Sequence, residues 1–304
     1  MKRLDLNTSE LAEGPSKCLV GQYSQENEDE IIESALAALP SRDRWCVEFG
    51  AWDGIFASNS RRLIKHYNYS AILIEADVCR FKQLRENYKD YQNVVVLRDF
   101  VGWQSNTLDT ILSNTPAPKT FDLLSIDIDG NDYHVWKALS VYRPKLVCIE
   151  FNPTVATSVR FVQSADSRVN QGCSLASLVD LAKEKNYELI AVSHCNAFFV
   201  DAVYYQLFGL KDNHPASLRR DCGPVTHIFF GYDGTVHLAG HKRLPWHSVE
   251  VCERRLQVLP RWLRRYPGNY TIVQKMLFGV YLLFYAPREL WKYIARRYSR
   301  KRGA

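Results

Sequence analysis

The sequence predicts an α/β protein built on a doubly wound, mostly parallel sheet. From Arg44 onward, short apolar runs rich in β-branched residues alternate with helical stretches, which implies a parallel sheet covered on both faces. Those runs are continuously apolar rather than alternating, as strands buried on both faces require. Farther on, Thr226–Tyr232 and Thr235–Ala239 bracket Asp233-Gly234, a pattern that predicts an antiparallel edge hairpin closing the sheet near residue 240.

Taken in order, the strands are Trp45–Phe49, Ala71–Glu75, Val94–Leu97, Phe121–Ile126, Leu146–Phe151 and Leu189–Val192. Helices are expected over Ser58–His66, Phe81–Tyr88, Leu108–Leu112, around His134–Leu139 and over Ser174–Lys185. Residues 1–43 form a leader holding one helix within Gln22–Leu39, capped by Ser24 and with acidic residues in its first turn. Residues 44–240 are the main domain. Within it, 155–225 is an acceptor-site insertion or lid, with Asn196–Pro224 lying over the strand ends. Residues 241–304 are a basic, aromatic, helical C-terminal extension.

Composition narrows the class. A chain of 304 residues, 46% hydrophobic and 24% charged, has the makings of a proper core, which excludes global disorder. None of the eight cysteines forms a C-x-x-C pair, which argues against a zinc ribbon or a thioredoxin-like site. Cys46 and Cys148 lie in apolar runs, and buried thiols fit a reducing compartment. Met1 to Val20 carries charges throughout and shows no secretory signal. The longest apolar stretch, Met276–Pro287, is too short to span a bilayer. These features together predict a cytoplasmic protein.

The chemistry lies at the strand ends. The first strand runs into Glu48-Phe49-Gly50-Ala51-Trp52-Asp53-Gly54, where glycines permit a tight turn and close approach of backbone to a ligand. Glu75 ends the second strand, where an acidic residue accepts hydrogen bonds from both ribose hydroxyls of a nucleoside. Asp99 follows the third strand and is the candidate for the adenine edge. A dinucleotide pyrophosphate wants a positive helix start, whereas this turn carries Glu48 and Asp53. The acidic turn favours S-adenosylmethionine, a sulfonium cation bearing an amino group, over NAD.

Four segments carry a family resemblance: VEFGAWDG (47–54), ILIEAD (72–77), DLLSIDIDGNDYHVW (122–136) and IEFNPT (149–154). They resemble the FkbM-type methyltransferases over roughly residues 45–240. The resemblance implies a Rossmann-like class I methyltransferase fold and O-methylation, in several members of sugars or natural products. It also implies that Glu48, Gly50, Gly54 and Glu75 contact the cofactor, with Asp127 near its methionine end.

The fourth strand ends in Asp127-Ile128-Asp129-Gly130-Asn131-Asp132-Tyr133-His134, and the fifth in Glu150-Phe151-Asn152. Two readings stand side by side. In one, Asp127, Glu150 and Asn152 hold Mg2+, which binds the acceptor hydroxyl and lowers its pKa. The block is similar here to metal-dependent O-methyltransferases of catechols, with Phe151 as a departure from their paired ligands. In the other, Asp127 or Asp129 orients the cofactor amine, and His134 or Asp132 is the general base. His134 bonded to backbone on a helix face is the plain alternative. Arg160, Asn170, Gln171, His194, Asn196 and Tyr204/Tyr205 are polar and aromatic groups that suit a sugar acceptor.

From Arg254 to Ala304 the chain carries 13 Lys/Arg against Glu289 alone, within an overall charge of +6, so the rest is net acidic. Such a tail is drawn to anionic surfaces. Peripheral contact with an anionic inner membrane face, as for a lipid-linked glycan substrate, stands beside a dimerisation helix and a core-covering helix; nucleic acid fits the apolar stretch less well. The leading expectation is an S-adenosylmethionine-dependent O-methyltransferase with a small-molecule or glycan acceptor. A catalytically inactive Rossmann-like interaction module and a dinucleotide oxidoreductase are the alternatives.

Overall fold

The computed structural model describes residues 23–220 and 222–292. The expectations for Cys18, for the start of the leader and for the basic stretch beyond Lys292 lie outside the described residues. The chain divides into two compact units, Met1–Cys222 and Gly223–Ala304.

The first unit runs α1 (Glu28–Ala38), β1 (Trp45–Phe49), α2 (Arg61–Tyr67), β2 (Ser70–Ile74), α3 (Val78–Asn87), β3 (Val94–Leu97), α4 (Leu108–Leu112), β4 (Thr120–Ile126), α5 (Asp132–Ala138), β5 (Arg143–Glu150), α6 (Leu175–Glu184), β6 (Tyr187–Val192), β7 (Asn196–Asp201) and α7 (Pro215–Leu218). Seven strands form one sheet in the order β3-β2-β1-β4-β5-β7-β6. β3, β2, β1, β4 and β5 are mutually parallel, with Val47 beside both Ile72 and Leu124. β7 runs antiparallel to both its neighbours, β5 and β6.

Strand periodicity divides the core in two. Val47, Phe49, Ile72, Leu124, Val147 and Phe199 face one side, where α4, α5 and α6 supply Leu112, Trp136 and Leu178. Cys46, Ala71, Leu73, Leu123, Cys148 and Phe198 face the other, where α1, α2 and α3 supply Leu36, Ile64 and Leu84. The helix expected in the leader is thus part of the sheet's cover. It starts at Glu28 rather than nearer Gln22, yet Ser24 still serves its first turn: Asp29 N–H donates to Ser24 Oγ at 3.1 Å while the Asp29 carboxylate accepts from the backbone of Tyr23 and Ser24.

Two expectations are corrected. Asn196–Asp201 does not belong to a lid; it is β7, buried along its whole length inside the sheet. An antiparallel strand paired on both sides is apolar on both faces, and four apolar residues are too few for periodicity to identify it. The hairpin over residues 226–240 exists, but it does not edge the main sheet. β8 (Thr226–Phe230) and β9 (Val236–Gly240) pair as a separate two-stranded sheet. The antiparallel pair at the edge of the main sheet is β7 with β6.

In the second unit, Gln257 clasps β9 through Val236 N–H and C=O, and Glu253 accepts from Leu238 N–H. A short hairpin, β10 (Arg243–Leu244) with β11 (Val249–Glu250), follows. Helix α8 (Ile272–Tyr285) opens on a capping box of Thr271 and Gln274. A further helical stretch begins at Pro287 and is described as far as Lys292.

Candidate active site at the carboxyl edge of the sheet

The ends of β1, β2, β3 and β4 stay together beyond the strands. Ala51 N–H donates to Ile74 C=O at 3.1 Å, Glu75 N–H to Leu97 C=O at 3.0 Å, and Asp127 N–H to Phe49 C=O at 3.4 Å. The turn leaving β1 is wound through the left-handed region at Gly50 (φ +73°), Trp52 (φ +51°) and Gly54 (φ +72°). Such backbone at a strand end is strained for Trp52 and free for the glycines. Gly50 is required by a neighbour as well as by φ, because a Cβ there would lie 1.6 Å from the Asp127 carbonyl oxygen. At Gly54 the constraint is packing on α3, where Tyr88 donates its hydroxyl to Gly54 C=O at 2.7 Å.

Glu75 holds this turn. Its carboxylate accepts from Trp52 N–H at 2.8 Å and from Asp77 N–H at 2.7 Å, so its orientation at the end of β2 is fixed. Arg80 stacks over the Trp52 ring at 3.8 Å. Asp99 is half-buried at the end of β3, accepting from Phe100 N–H and from Asn106 Nδ2 at 2.6 Å.

Glu48 is turned inward rather than toward the open edge. It is buried and accepts from Ser58 Oγ at 2.8 Å, Asn59 N–H at 2.8 Å and Ser60 Oγ at 2.5 Å. Burial pushes its pKa up, and these three bonds oppose the shift. Its place in the fold is to tie the 58–60 segment under β1. That use also moves the start of α2 to Arg61, three residues past the expected Ser58.

Carboxylates crowd the ends of β4 and β5. Oxygens of Asp127, Asp129 and Glu150 all lie within 4.8 Å of one another. Desolvation, then the charges of Asp132, Asp129, Glu48 and Glu28, push Asp127 up to about 8. Burial and Asp127 likewise push Glu150 well above the usual carboxylate range. Such a cluster calls for a proton or a cation at neutral pH.

Asp132 has a different task. It is buried, and its two oxygens accept from Ile128 N–H and Gly130 N–H, both at 2.9 Å. It shapes the 127–131 loop and puts Asp129 at the loop's exposed tip in left-handed conformation (φ +55°). The general-base expectation for Asp132 does not fit that enclosure. His134 is bonded to backbone: Nε2 meets Gln163 C=O at 2.9 Å, so Nε2 carries the proton, and the ring lies between Trp103 and Tyr133. Asn152 does not join the carboxylates as a ligand through its oxygen, since Oδ1 accepts from Thr154 N–H at 2.9 Å and from Thr154 Oγ1 at 2.6 Å. Asp129 takes the third place in the cluster.

The segment after β5 packs on this loop. Gln163 Oε1 accepts from Gln171 and Gly172 N–H, Asn131 Nδ2 reaches Asp166 C=O, and Asn170 Nδ2 reaches Asp129 C=O at 2.9 Å. Of the proposed acceptor-side residues, Asn170 and Gln171 therefore stand at the site. Arg160 instead pairs with Asp180, and Tyr204 and Tyr205 pack against the core.

One neighbour of the site escaped sequence reasoning. Glu28 of α1 is fully buried and accepts from Ser193 Oγ at 2.8 Å and Asn196 Nδ2 at 3.4 Å. Asn196 pairs in register with Glu150. No local pattern in the leader marks Glu28, because its partners are some 165 residues away.

A sheet in this order, with one antiparallel strand and helices on both faces, has the Rossmann-like architecture expected of the class I methyltransferase fold. No family model matches the chain and no curated protein matches it, so the FkbM-type resemblance rests on the motifs quoted above. Among solved structures, the chain is similar to the N-terminal domain of EvdMO1 determined with SAH and D-fucose, at 11% identity over 58% of this chain and 82% of that one, with a TM-score of 0.40. It is also similar to the CurJ carbon methyltransferase, at 10% identity over 59% and 56% with a TM-score of 0.40. A third is M. capricolum TrmK in complex with S-adenosyl-homocysteine, at 9% identity over 59% and 68% with a TM-score of 0.36.

Proposed function

We propose that this chain is an S-adenosylmethionine-dependent O-methyltransferase of the FkbM type, acting on a hydroxyl of a sugar, glycan or natural product. The observation that carries the reading is the carboxylate cluster of Asp127, Asp129 and Glu150 beside the Gly50 turn. It offers a cationic ligand the negative charge that a phosphate-bearing dinucleotide would be repelled by. Glu75 takes the ribose hydroxyls and Asp99 the adenine edge, while the backbone at Gly50 and Gly54 forms the floor. Asp127 takes the ammonium of the methionine end. Glu48 acts through the turn it ties down.

The transfer moves a methyl group from the sulfonium sulfur to the acceptor oxygen: the S–CH3 bond breaks as the O–CH3 bond forms, and neutral S-adenosylhomocysteine leaves. The hydroxyl proton needs an acceptor. Asp129, exposed at the loop tip beside Asn170, is the best placed of the three acids. His134 supports the loop, because its Nε2 is committed to Gln163. The main demands are in-line placement and exclusion of water, and the 160–173 segment supplies walls. Asp127, Asp129 and Glu150 also fit Mg2+, with carboxylate oxygens at close quarters and no neighbouring cation among the charges that shift them. A bound Mg2+ would lower the pKa of the acceptor hydroxyl.

Calorimetric titration with S-adenosylhomocysteine, with and without Mg2+ and with NADH as control, tests the reading. Micromolar binding lost in Glu75→Gln, with no response to NADH, is the expected result. Binding of NADH alone, or of neither ligand, would overturn it.

A further inference from the structure

The second unit buries few apolar side chains and exposes many. Among the described residues its buried apolar set is Val225, Val236, Leu238, Leu263, Tyr270 and Leu282. Helix α8 lays one face on this small core. Leu282 is buried, Phe278 meets Tyr270 edge-on at 5.7 Å, and Tyr281 donates its hydroxyl to Val258 C=O at 2.7 Å. The opposite face is also apolar, and none of the described residues of the unit covers it. At helical spacing Ile272, Met276, Val280 and Leu283 form one row and Val273, Leu277 and Phe284 the next, an arc of about 140° with no charge in it. Met276 is 69% exposed and Phe284 76%.

Charge decides what can cover this face. Arg261, Arg264 and Arg265 precede the helix, Lys275 lies on its flank, and Arg288 and Lys292 follow, Lys292 paired with Glu289 at 2.6 Å, which leaves a net positive surround. A second copy would set this positive excess against itself. An apolar protein groove would leave the guanidinium groups without partners. An anionic lipid surface meets both needs, taking the apolar arc at the headgroup–acyl boundary and the arginines at the phosphates. Trp262 and Trp291, both exposed, are the aromatic type that settles at that boundary. The helix is about 21 Å long, and among the described residues no helix is long and apolar enough to cross a membrane, so the arc would lie in the plane of the interface.

We propose that α8 and the arginines flanking it form a peripheral docking surface for an anionic membrane face. This does not depend on the methyl-transfer reading. The test is co-sedimentation of the full chain with vesicles of phosphatidylcholine, alone or with roughly one-third phosphatidylserine. Binding to the anionic vesicles is expected to be at least about tenfold tighter and to weaken with salt, since each surface cation contributes about fivefold. Replacing Met276, Val280 and Phe284 together by serine is expected to weaken binding about a hundredfold, with an unchanged unfolding temperature because all three side chains are exposed. Absence of binding at low salt would overturn the proposal, as would a triple variant that binds as tightly as the parent. A dimer in sedimentation that the triple variant dissolves would assign the face to a second copy and overturn it equally.

Discussion

Replacing Gly50 by alanine probes the closest approach in the candidate site. The new methyl would sit 1.6 Å from the Asp127 carbonyl oxygen and 2.7 Å from its carbonyl carbon. A carbon–oxygen contact settles near 3.3 Å, so the exits of β1 and β4 must part by roughly 1.7 Å. That separation breaks the Asp127–Phe49 backbone bond, a loss of about 1 kcal/mol. The left-handed φ adds about 1 kcal/mol for a residue with a Cβ. Repacking of the strand ends adds roughly 1–3 kcal/mol, for a total near ~4 kcal/mol. Gly54→Ala is the control: its methyl meets Leu84 Cδ1 and a Tyr88 ring edge, buried side-chain atoms that can shift without parting two strand ends, so a smaller loss is expected, about half. Thermal unfolding reads the difference, at about 2–4 °C per kcal/mol for a unit of this size. Equal shifts for the two variants, or a shift under ~3 °C for Gly50→Ala, would refute the argument that a carbonyl contact demands glycine at 50.

Three further outcomes follow from the same geometry. Asp127 is pushed up to about 8 from an ordinary 3.8, so between those values the folded chain holds a proton the unfolded chain has released. Stability of the ligand-free protein therefore falls as pH rises through this window and is fully retained below it; urea unfolding across pH 4 to 8 in roughly unit steps should show the slope, and Asp127→Asn should flatten it. Glu28→Ala removes the acceptor that the Ser193 hydroxyl and the Asn196 amide share beneath α1 and leaves them only longer contacts, a loss of about 1–3 kcal/mol, with faster proteolysis near residue 40 as the direct readout. Trp136 packs against Phe199 at 5.1 Å and Tyr187 at 5.9 Å while its Nε1 has no partner among the described residues; Trp136→Ala should therefore cost about 3–5 kcal/mol in denaturant titration and Trp136→Phe only about 1.

Strands whose burial comes from an unbroken apolar run were legible. Trp45–Phe49 and Val94–Leu97 match β1 and β3 residue for residue, and the others differ by a few residues at their ends. The strand-end acids Glu75, Asp127 and Glu150 were legible too, because a parallel sheet sends every carboxyl end to one edge. What stayed hidden depends on distant partners. Glu48 reads as a ligand contact until Ser58, Asn59 and Ser60 are seen to consume its oxygens. Asp132 and Asp129 are indistinguishable as letters, and only the loop's hydrogen bonds make one a brace and the other an exposed tip. β7 was missed because Asn196 and Asp201 give its ends a loop-like composition, while Asn196 is in fact held by Glu28 from the leader.

The position of β7 also bears on how the chain is made. It lies between β5 and β6, yet it is the last strand of the sheet to be synthesised. β5 emerges with one edge unpaired, and that edge must wait about 50 residues for its partner, roughly 3–10 s of translation. Its Leu146-Val147-Cys148-Ile149 run is fully buried in the finished protein and offers an adhesive template until then. Pro144 and Lys145 guard only the beginning of that edge. Slowing translation across residues 150–201 should therefore shift newly made chains toward chaperones and inclusion bodies while leaving the finished protein unchanged.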